Sequence, residues 1–317
     1  MRIAVYQGFD YIHYEMLGYI LDYFKHINSK YNINTLKFNI YAKLITTGID
    51  WLIYYNKHLN MNISWNEPNL FNPNNYEYII LLTDDDMSFK DEWLIKYNYK
   101  IITINHWQKN RRIETPYNIG TRFFVTNPYQ EYILPSYMGI PYNQKKKILL
   151  NNKINVSCIG AQNIPPSTLF LKDLFTNFNE INFHIVARHI PYNYNSSNIN
   201  TYIFPSCNDM FNIINKSDYI LCIEIPNTDT KSNCISGAIP LSFSYGCQLL
   251  IPKIWQDYYN FKSSISYLDN YVQNNGQSKL SLSKNINLDN IYNELYEILN
   301  HRNDVFDNIF INKFYIN

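Results

Sequence analysis

Glycine is scarce in this sequence, with 9 residues in a chain of 317. No G-x-G-x-x-G motif follows an apolar run that could form a strand, which argues against a nicotinamide-dependent dehydrogenase. Net charge is also small, because 27 Lys and Arg residues balance 26 Asp and Glu residues to leave +1. A chain so close to neutrality lacks the basic face of a nucleic-acid-binding protein and the polybasic cluster of a membrane anchor. We therefore expect no nucleic-acid partner.

Long apolar runs are absent as well. No stretch of about 18 apolar residues is present, so the sequence predicts no transmembrane helix. The N-terminal residues MRIAVYQGFDYIHYE lack the charged region and apolar stretch of a signal peptide.

The cysteines number five, and no two of them lie at C-x-x-C spacing. This pattern favours small buried thiols over disulfides or zinc ligands, and it predicts a cytoplasmic, reducing location.

Hydrophobic residues are plentiful, at 46% of the chain, which is enough for a sizeable core. The length fits two domains of ordinary size. Tyr reaches 30 residues, and Asn and Ile are frequent throughout. All three have AT-rich codons, so this bias points to the genome of an AT-rich microbe or a large DNA virus rather than to a function.

Short apolar runs alternate with amphipathic stretches along the whole chain. Strands are predicted at residues 2–7, 35–41, 61–65, 76–83, 100–105, 123–126, 154–159, 182–187, 201–204, 219–225 and, as the last strand, 247–251. Helices are predicted at 16–30, 47–59, 86–97, 206–216, 236–245, in the segment that begins at Ser167, and near the C-terminus. Strands separated by helices of 10–15 residues indicate parallel sheets covered on both faces.

One stretch interrupts this rhythm. Pro135–Lys153 contains prolines, a glycine and the basic run Lys145–Lys147, and we interpret it as a linker with a solvated surface. It divides the chain into an N-terminal domain of residues 1–140 and a C-terminal domain of residues 141–317. The last helix is expected to pack back onto the N-terminal domain.

Four segments of the second half occur in a characteristic order: a strand that ends at Gly160, then NFHIVARH, then YIFPSCNDMFNIINKSDYILCIE, then SGAIPLSFSYGCQLLIP. This set resembles the C-terminal, donor-binding domain of GT-B glycosyltransferases, over about residues 154–260. The resemblance implies an α/β fold of two tandem Rossmann-like domains whose parallel sheets face a cleft. It further implies a nucleotide sugar as co-substrate, without another cofactor, and an acceptor held by the N-terminal domain.

Donor-binding residues follow from the same resemblance. Gly160 ends the first strand of the donor domain. The helix that starts near Ser236 points its N-terminus at the diphosphate in this family. A Ser-Gly pair at a helix start offers backbone N–H groups, and Gly237 lets a phosphate approach closely.

The sequence departs from the family in its charged residues. The acidic E-x7-E pair of many members falls on Asn233 and Leu241, and the basic residue expected after Gly160 is Ala161. The chain therefore resembles the branch that lacks the acidic pair, and the diphosphate needs another cation. Arg188 is our candidate, because it follows the predicted strand NFHIVA at the end where open α/β sheets bind ligands. A surface Arg in a polar loop is the alternative.

Two more residues lie at predicted strand ends. Glu224, near the end of YILCIEI, could hold sugar or ribose hydroxyls, or it could be a partly exposed strand-end residue. Phe204 could place its ring or backbone against the nucleotide base, or it could pack in the core.

The acceptor side is predicted in the first half. Gly8 ends the first strand, and the segment GFDYIH brings Asp10 and His13 to the cleft. His106 follows the strand KIITIN. In GT-B glycosyltransferases a His or Asp of the N-terminal domain often faces the reacting sugar, so the resemblance implies that His106 and Asp10 are the catalytic residues. A neutral imidazole has a pKa near working pH and can deprotonate an acceptor hydroxyl. The alternative for each of the two is a hydrogen-bonded loop residue. A glycan, protein or lipid acceptor and a homodimer are all compatible with the sequence.

A run of three carboxylates supports a competing interpretation. Asp84, Asp85 and Asp86 follow YEYIILLT directly and could hold Mg²⁺ or Mn²⁺, as the Asp-x-Asp of a GT-A glycosyltransferase does. A GT-A enzyme would leave the second α/β set unexplained, so a metal-independent GT-B transferase is favoured. In that case Asp86 caps a helix. A non-catalytic GT-B-like binding protein stays open, because the acidic pair and the usual diphosphate cations are missing.

Overall fold

The structure of the chain is a computed structural model. It describes residues 2–7, 14–31, 37–43, 46–59, 63–82, 92–105, 115, 117–120, 131–132, 153–160, 168–187, 194–203, 205–223, 237–267 and 279–314. The chain divides into two compact units. Unit 1 comprises Met1–Met138, Ser232–Ile235 and Ile298–Asn317, and unit 2 comprises Gly139–Lys231 and Ser236–Glu297.

Unit 1 is built on a seven-stranded, all-parallel sheet. In spatial order its strands are β3 (Ile63–Asn66), β2 (Lys37–Tyr41), β1 (Arg2–Gln7), β4 (Tyr78–Leu82), β5 (Ile101–Asn105), β6 (Tyr117–Gly120) and β7 (Glu131–Tyr132). Its first helices are α1 (Glu15–Tyr31), α2 (Thr46–Leu59) and α3 (Glu92–Lys96). The central strands are apolar along almost their whole length, because a parallel sheet is buried on both faces.

Aromatic packing shows how the two faces of this sheet are covered. On one face, Phe24 of α1 lies 4.4 Å from Phe38 of β2, measured between ring centroids. On the other face, the ring of Tyr6 lies 4.9 Å from Phe71 and 5.4 Å from Trp93, which is on α3. The helices therefore lie on both sides of the sheet, as in a doubly wound fold.

Unit 2 is built on a six-stranded sheet that is also entirely parallel. In spatial order its strands are β10 (Ile199–Ile203), β9 (Ile181–Ala187), β8 (Ile154–Ile159), β11 (Tyr219–Leu221), β12 (Gln248–Pro252) and β13 (Ile265–Tyr267). Its helices are α4 (Thr168–Leu174), α5 (Cys207–Lys216), α6 (Ala238–Ser244) and α7 (Lys253–Tyr259). Apolar residues of α4, β8 and β9 form its main core cluster.

The last helix, α8 (Leu288–Phe314), has 27 residues. Its N-terminal part belongs to unit 2, and residues 298–314 belong to unit 1. In unit 1 its aromatic side chains pack on α1: the ring centroid of Phe306 lies 4.8 Å from that of Tyr23, and that of Phe310 lies 5.3 Å from that of Phe24.

Most predicted strands are confirmed within a residue or two at the ends that the structure describes. The cap of α5 is confirmed as well, since the Ser206 hydroxyl oxygen accepts from the Asp209 N–H at 3.2 Å. The expectation that residues 247–251 form the last strand is wrong, because β13 follows. Strands β6 and β7 were not predicted, since YNIG mixes polar and apolar residues and β7 has two residues. The predicted strand 123–126 and linker residues 135–152 lie outside the described residues.

Candidate functional site

The strand order of unit 2 marks one place where ligands bind in open α/β sheets. Chain connections run outward from β8 through β9 to β10 on one side, and from β11 through β12 to β13 on the other. The winding thus reverses between β8 and β11. Such a switch point leaves a crevice outside the carboxyl ends of the two strands. This carboxyl edge of the unit 2 sheet is the candidate site.

Gly160 lies at this edge, directly after β8. Its φ of 72° is in the left-handed region that side chains other than glycine rarely adopt. Its N–H donates to the Val186 carbonyl at 2.9 Å, which ties it to β9. No described atom lies within 4 Å of the point that a Cβ would occupy. Among the described residues, the backbone at the end of β8 is therefore held in place by β9 and has no neighbour on the side of a Cβ.

Gly237 precedes α6 and is exposed. Its φ of −59° is an ordinary helical value, and again no described atom lies within 4 Å of a Cβ position. The described helix begins at Ala238, later than the predicted start at Ser236. It has seven residues, and Pro240 in its first turn has no N–H to donate. For an anion, the useful feature of this segment is the open approach to the Gly237 backbone more than a helix dipole.

Hydrogen bonds connect the ends of the neighbouring strands beside the site. The Tyr267 hydroxyl at the end of β13 donates to the Cys222 carbonyl at 2.6 Å. The Cys222 N–H donates to the Leu250 carbonyl at 2.8 Å. These bonds join the carboxyl ends of β11, β12 and β13. Cys222 is itself buried, so its backbone rather than its thiol takes part.

Four predicted donor-site residues, Arg188, Phe204, Glu224 and Ser236, lie outside the described residues. The strands that precede two of them are described: β9 ends at Ala187 and β10 ends at Ile203. Parallel strands end at the same edge of a sheet, so the chain reaches this edge just before each of these positions. Their roles stay predictions.

The acceptor-side residues also lie outside the part of the chain that the structure describes. They are Gly8, Asp10, His13 and His106, together with the three carboxylates Asp84–Asp86. Their neighbours are described. Gln7 ends β1 and is 3% exposed, and Asn105 ends β5 and is fully buried. Sequence reasoning missed these two amides, although a polar residue that closes an apolar strand, as in RIAVYQ and IITIN, is a readable signal.

Lys253 is a third residue that did not stand out in the sequence. It directly follows β12 at the carboxyl edge of unit 2 and is the first residue of α7. Its ammonium pairs with the Asp257 carboxylate four residues later. The signal in the sequence is a basic residue directly after the strand QLLIP. With 247–251 predicted as the last strand, this signal does not point to a binding site.

A polar network lies at the opposite, amino edge of the unit 2 sheet. The Asp218 carboxylate accepts from the Asn155 N–H at 2.7 Å and from the Lys284 ammonium at 2.9 Å. His184 lies 3.3 Å from both the Asn155 side-chain oxygen and the Tyr202 hydroxyl. Burial, reinforced by the charge of Lys216, lowers the pKa of His184. The network starts at the amino edge, with Asn155 and Asp218, and extends through His184 and Tyr202 into β9 and β10.

The described cysteines do not supply a nucleophile. Cys158, Cys207, Cys222 and Cys247 are all buried. Burial raises the pKa of the Cys158 thiol to about 12, so almost none of it is thiolate at neutral pH. Cys158 is therefore not a nucleophile of the candidate site.

Known structures were compared with the whole chain. No family model and no curated protein matches it. The glycotransferase of kitacinnamycin matches with a TM-score of 0.52 and 8% identity over 97% of this chain and 98% of that chain. The S. aureus MnaA–UDP co-structure matches with a TM-score of 0.48 and 10% identity over 95% and 90%. UDP-GlcNAc 2-epimerase from Neisseria meningitidis, bound to UDP-GlcNAc, scores 0.46 with 12% identity over 95% and 92%.

Of these three matches, the first alone exceeds 0.5 and carries the fold assignment. The chain has the GT-B fold. The predicted fold class is thereby confirmed. The GT-A interpretation of the fold is wrong, because GT-B proteins have two tandem α/β sets and this chain has two separate parallel sheets.

Two general features of the GT-B chain complete the description. In the described segments, no helix is long and apolar enough to cross a membrane. The same segments contain no group of three or more His, Cys, Asp or Glu side chains that could hold a metal ion. The carboxylates Asp84–Asp86 are not part of those segments, so a role for them in metal binding is untested.

Proposed function

We propose that the chain is a glycosyltransferase that moves a sugar from a nucleotide-sugar donor to an acceptor hydroxyl without a metal ion. The observation that carries this proposal is the GT-B fold, matched along nearly the whole chain by a glycotransferase. The open carboxyl edge of the unit 2 sheet supports the placement of the donor, because its switch point is the kind of crevice in which such sheets bind nucleotides.

The donor's diphosphate is proposed to lie against the backbone at Gly160 and Gly237. Neither residue has a described atom within 4 Å of a Cβ position, so a phosphate can approach both. Arg188 supplies positive charge, and Ser236 donates to a phosphate oxygen. Glu224 accepts from sugar or ribose hydroxyls, while Phe204 contacts the base.

The acceptor is proposed to bind unit 1. The buried amides Gln7 and Asn105 hold the ends of β1 and β5, from which Gly8 and His106 continue. His106 takes the proton of the acceptor hydroxyl. The acceptor oxygen then bonds to the anomeric carbon as the bond from that carbon to the leaving diphosphate oxygen breaks.

Asp10 and His13 complete the acceptor side. Asp10 follows the end of β1 by three positions, where a carboxylate can orient the acceptor or the protonated imidazole. A glycan, protein or lipid hydroxyl is a suitable acceptor for this chemistry. A homodimer is compatible with it.

A non-catalytic nucleotide-sugar-binding protein is the second candidate. Leu241 stands where many GT-B transferases have the second carboxylate of the acidic pair. It is 2% exposed within α6, so this position offers no polar contact to a sugar. Binding without turnover would be the result of such a loss.

A thermal-shift screen tests the proposal, because a ligand that binds only the folded state raises Tm. UDP, GDP, ADP and CDP and their common sugar conjugates are screened with and without excess EDTA. We expect one base to raise Tm and EDTA to leave the shift unchanged. The selected sugar nucleotide is then assayed for hydrolysis and for transfer to added acceptors.

The outcomes of this screen distinguish the two candidate functions and test metal independence. No shift with any nucleotide contradicts the proposed function, and binding without hydrolysis or transfer selects the non-catalytic candidate. Nucleotide binding that is lost in EDTA, restored by Mn²⁺ and abolished by Asp84→Asn contradicts metal independence. Gly237→Val should lose diphosphate binding but keep the Tm of the unliganded protein, since no described atom lies within 4 Å of a Cβ position there. Unchanged affinity would exclude Gly237 as a phosphate contact.

A further inference from the structure

Lys253 places a positive charge at the carboxyl edge of the unit 2 sheet. Among the described residues that directly follow a strand there, Gly160, Cys222 and Lys253, it alone is charged. Its side chain is 48% exposed, so the ammonium is accessible. The charge lies at the edge where the nucleotide is proposed to bind, and its exposed pair with Asp257 is weak enough to be exchanged for a contact with phosphate.

The strand order brings Lys253 close to the switch point. Strand β12 lies next to β11, which forms one side of the crevice. Neighbouring strands are about 4.8 Å apart. The flexible four-carbon stem of a lysine is longer than this spacing, so the ammonium can reach a ligand at the carboxyl end of β11, on the near side of the crevice.

Local electrostatics do not account for a lysine at this position. The first turn of a helix carries the positive end of its dipole and favours acidic residues. The pair with Asp257 has the basic residue first, which is the less favourable order at this spacing. Both side chains are well exposed, so the pair stabilises the helix little. A residue that breaks local rules without a structural gain is typical of a functional position.

We propose that Lys253 is a donor-binding residue whose ammonium contacts the diphosphate of the nucleotide sugar. The inference rests on the proposed function and adds a residue to the same site. It provides a cation that the sequence lacks after Gly160. The diphosphate charge is then shared between Lys253 and the predicted Arg188.

Calorimetric titration of matched variants tests this role. The probe is whichever of UDP, GDP, ADP and CDP raises Tm most, and the corresponding nucleoside serves as a ligand without phosphates. Lys253→Ala should weaken diphosphate binding roughly tenfold at low salt, and Lys253→Arg should keep most of the affinity. Lys216→Ala is the control, since Lys216 is an exposed lysine at the end of α5, at the opposite edge of the same sheet. It should bind like the wild type.

The outcomes separate this inference from the function beneath it. If the wild type binds a diphosphate and Lys253→Ala binds it within about twofold, Lys253 is not a phosphate contact. Equal weakening of nucleoside and diphosphate binding also overturns the inference, because the effect is then not on phosphate. If none of the four diphosphates binds the wild type, the proposed function fails first and the role of Lys253 fails with it.

Discussion

Two glycines at the same edge of the unit 2 sheet are glycine for different reasons. At Gly160 the backbone conformation requires glycine, because φ is 72°, in the left-handed region. At Gly237 φ is −59°, which any residue adopts. At both positions no described atom lies within 4 Å of the point that a Cβ would occupy. Conformation thus accounts for the first glycine, whereas close approach of a ligand is the proposed reason for the second.

Alanine substitutions separate these two reasons at the residue scale. Gly160→Ala should lower the free energy of unfolding by about 1–2 kcal/mol, because a left-handed backbone strains any Cβ. Gly237→Ala should leave it unchanged or raise it by about 0.4–1 kcal/mol, because alanine restricts the unfolded chain. Urea unfolding followed by circular dichroism measures both. Equal losses in the two variants would contradict the role assigned to the backbone angle.

At the scale of elements, α1 and the end of α8 are joined by a buried ion pair in unit 1. Arg302 is 1% exposed, and its guanidinium donates to the Asp22 carboxylate at 2.7 Å and to the Asn303 side chain at 2.8 Å. A second, more exposed pair joins Lys30 to Asp307 at 3.2 Å. The two pairs link the same helices but differ in how much water reaches them.

This difference predicts unequal costs of removal. Arg302→Met should destabilise unit 1 by about 3 kcal/mol, the low end for a broken buried pair, because Asp22 keeps some contact with water. Lys30→Met should cost less than about 1 kcal/mol, since an exposed pair is weak. Chemical denaturation of both variants supplies the comparison. A loss for Lys30→Met as large as that for Arg302→Met would show that burial is not the deciding factor.

At the scale of the whole molecule, each unit contains a histidine that is harder to protonate when folded. In unit 1, burial lowers the pKa of His26, helped by the nearby charges of Lys30 and Arg302 and opposed by Asp307 and Asp22. In unit 2, burial and the charge of Lys216 lower the pKa of His184. Both rings are therefore more readily protonated in the unfolded chain than in the folded one.

Acid should consequently destabilise both units. The neutral form is favoured in the folded state, so the stability from each histidine is present above the usual pKa of 6.5 and is lost as pH falls through the lowered value. Thermal unfolding between about pH 7.5 and 5.5 should show a falling Tm. His184→Gln and His26→Gln should each flatten part of that dependence. An unchanged pH dependence in both variants would rule these two rings out as its source.

Much of the fold was predictable because burial leaves a local trace. Strands such as YIILL and INVSCI are continuous apolar runs, which a parallel sheet buries on both faces. The Ser206 cap was readable from its spacing to Asp209 alone. Strand β13 was not readable, because three residues, ISY, are too few to show a period, and the strand is defined by its pairing with β12.

The candidate site was predictable in part for a related reason. Gly160 was identified correctly as the end of a strand, since a glycine follows an apolar run there. Gln7, Asn105 and Lys253 can be recognised as candidate site residues only when the strand ends and the strand order are known. A polar residue after an apolar run is common, and its place at a switch point depends on which strands are neighbours.

By itself, the sequence determined the alternation of helices and strands, the burial of the central strands and the capped start of α5, because these depend on residues close together in the chain. Tertiary structure alone decided the order of the strands, the presence of β13 and the meeting of Gly160, Cys222 and Lys253 at one edge of a sheet. An apolar run specifies that a strand is buried. It does not specify which strand lies next to it in the sheet, since parallel strands are joined by long crossovers. Pairing between residues far apart in the chain makes that choice.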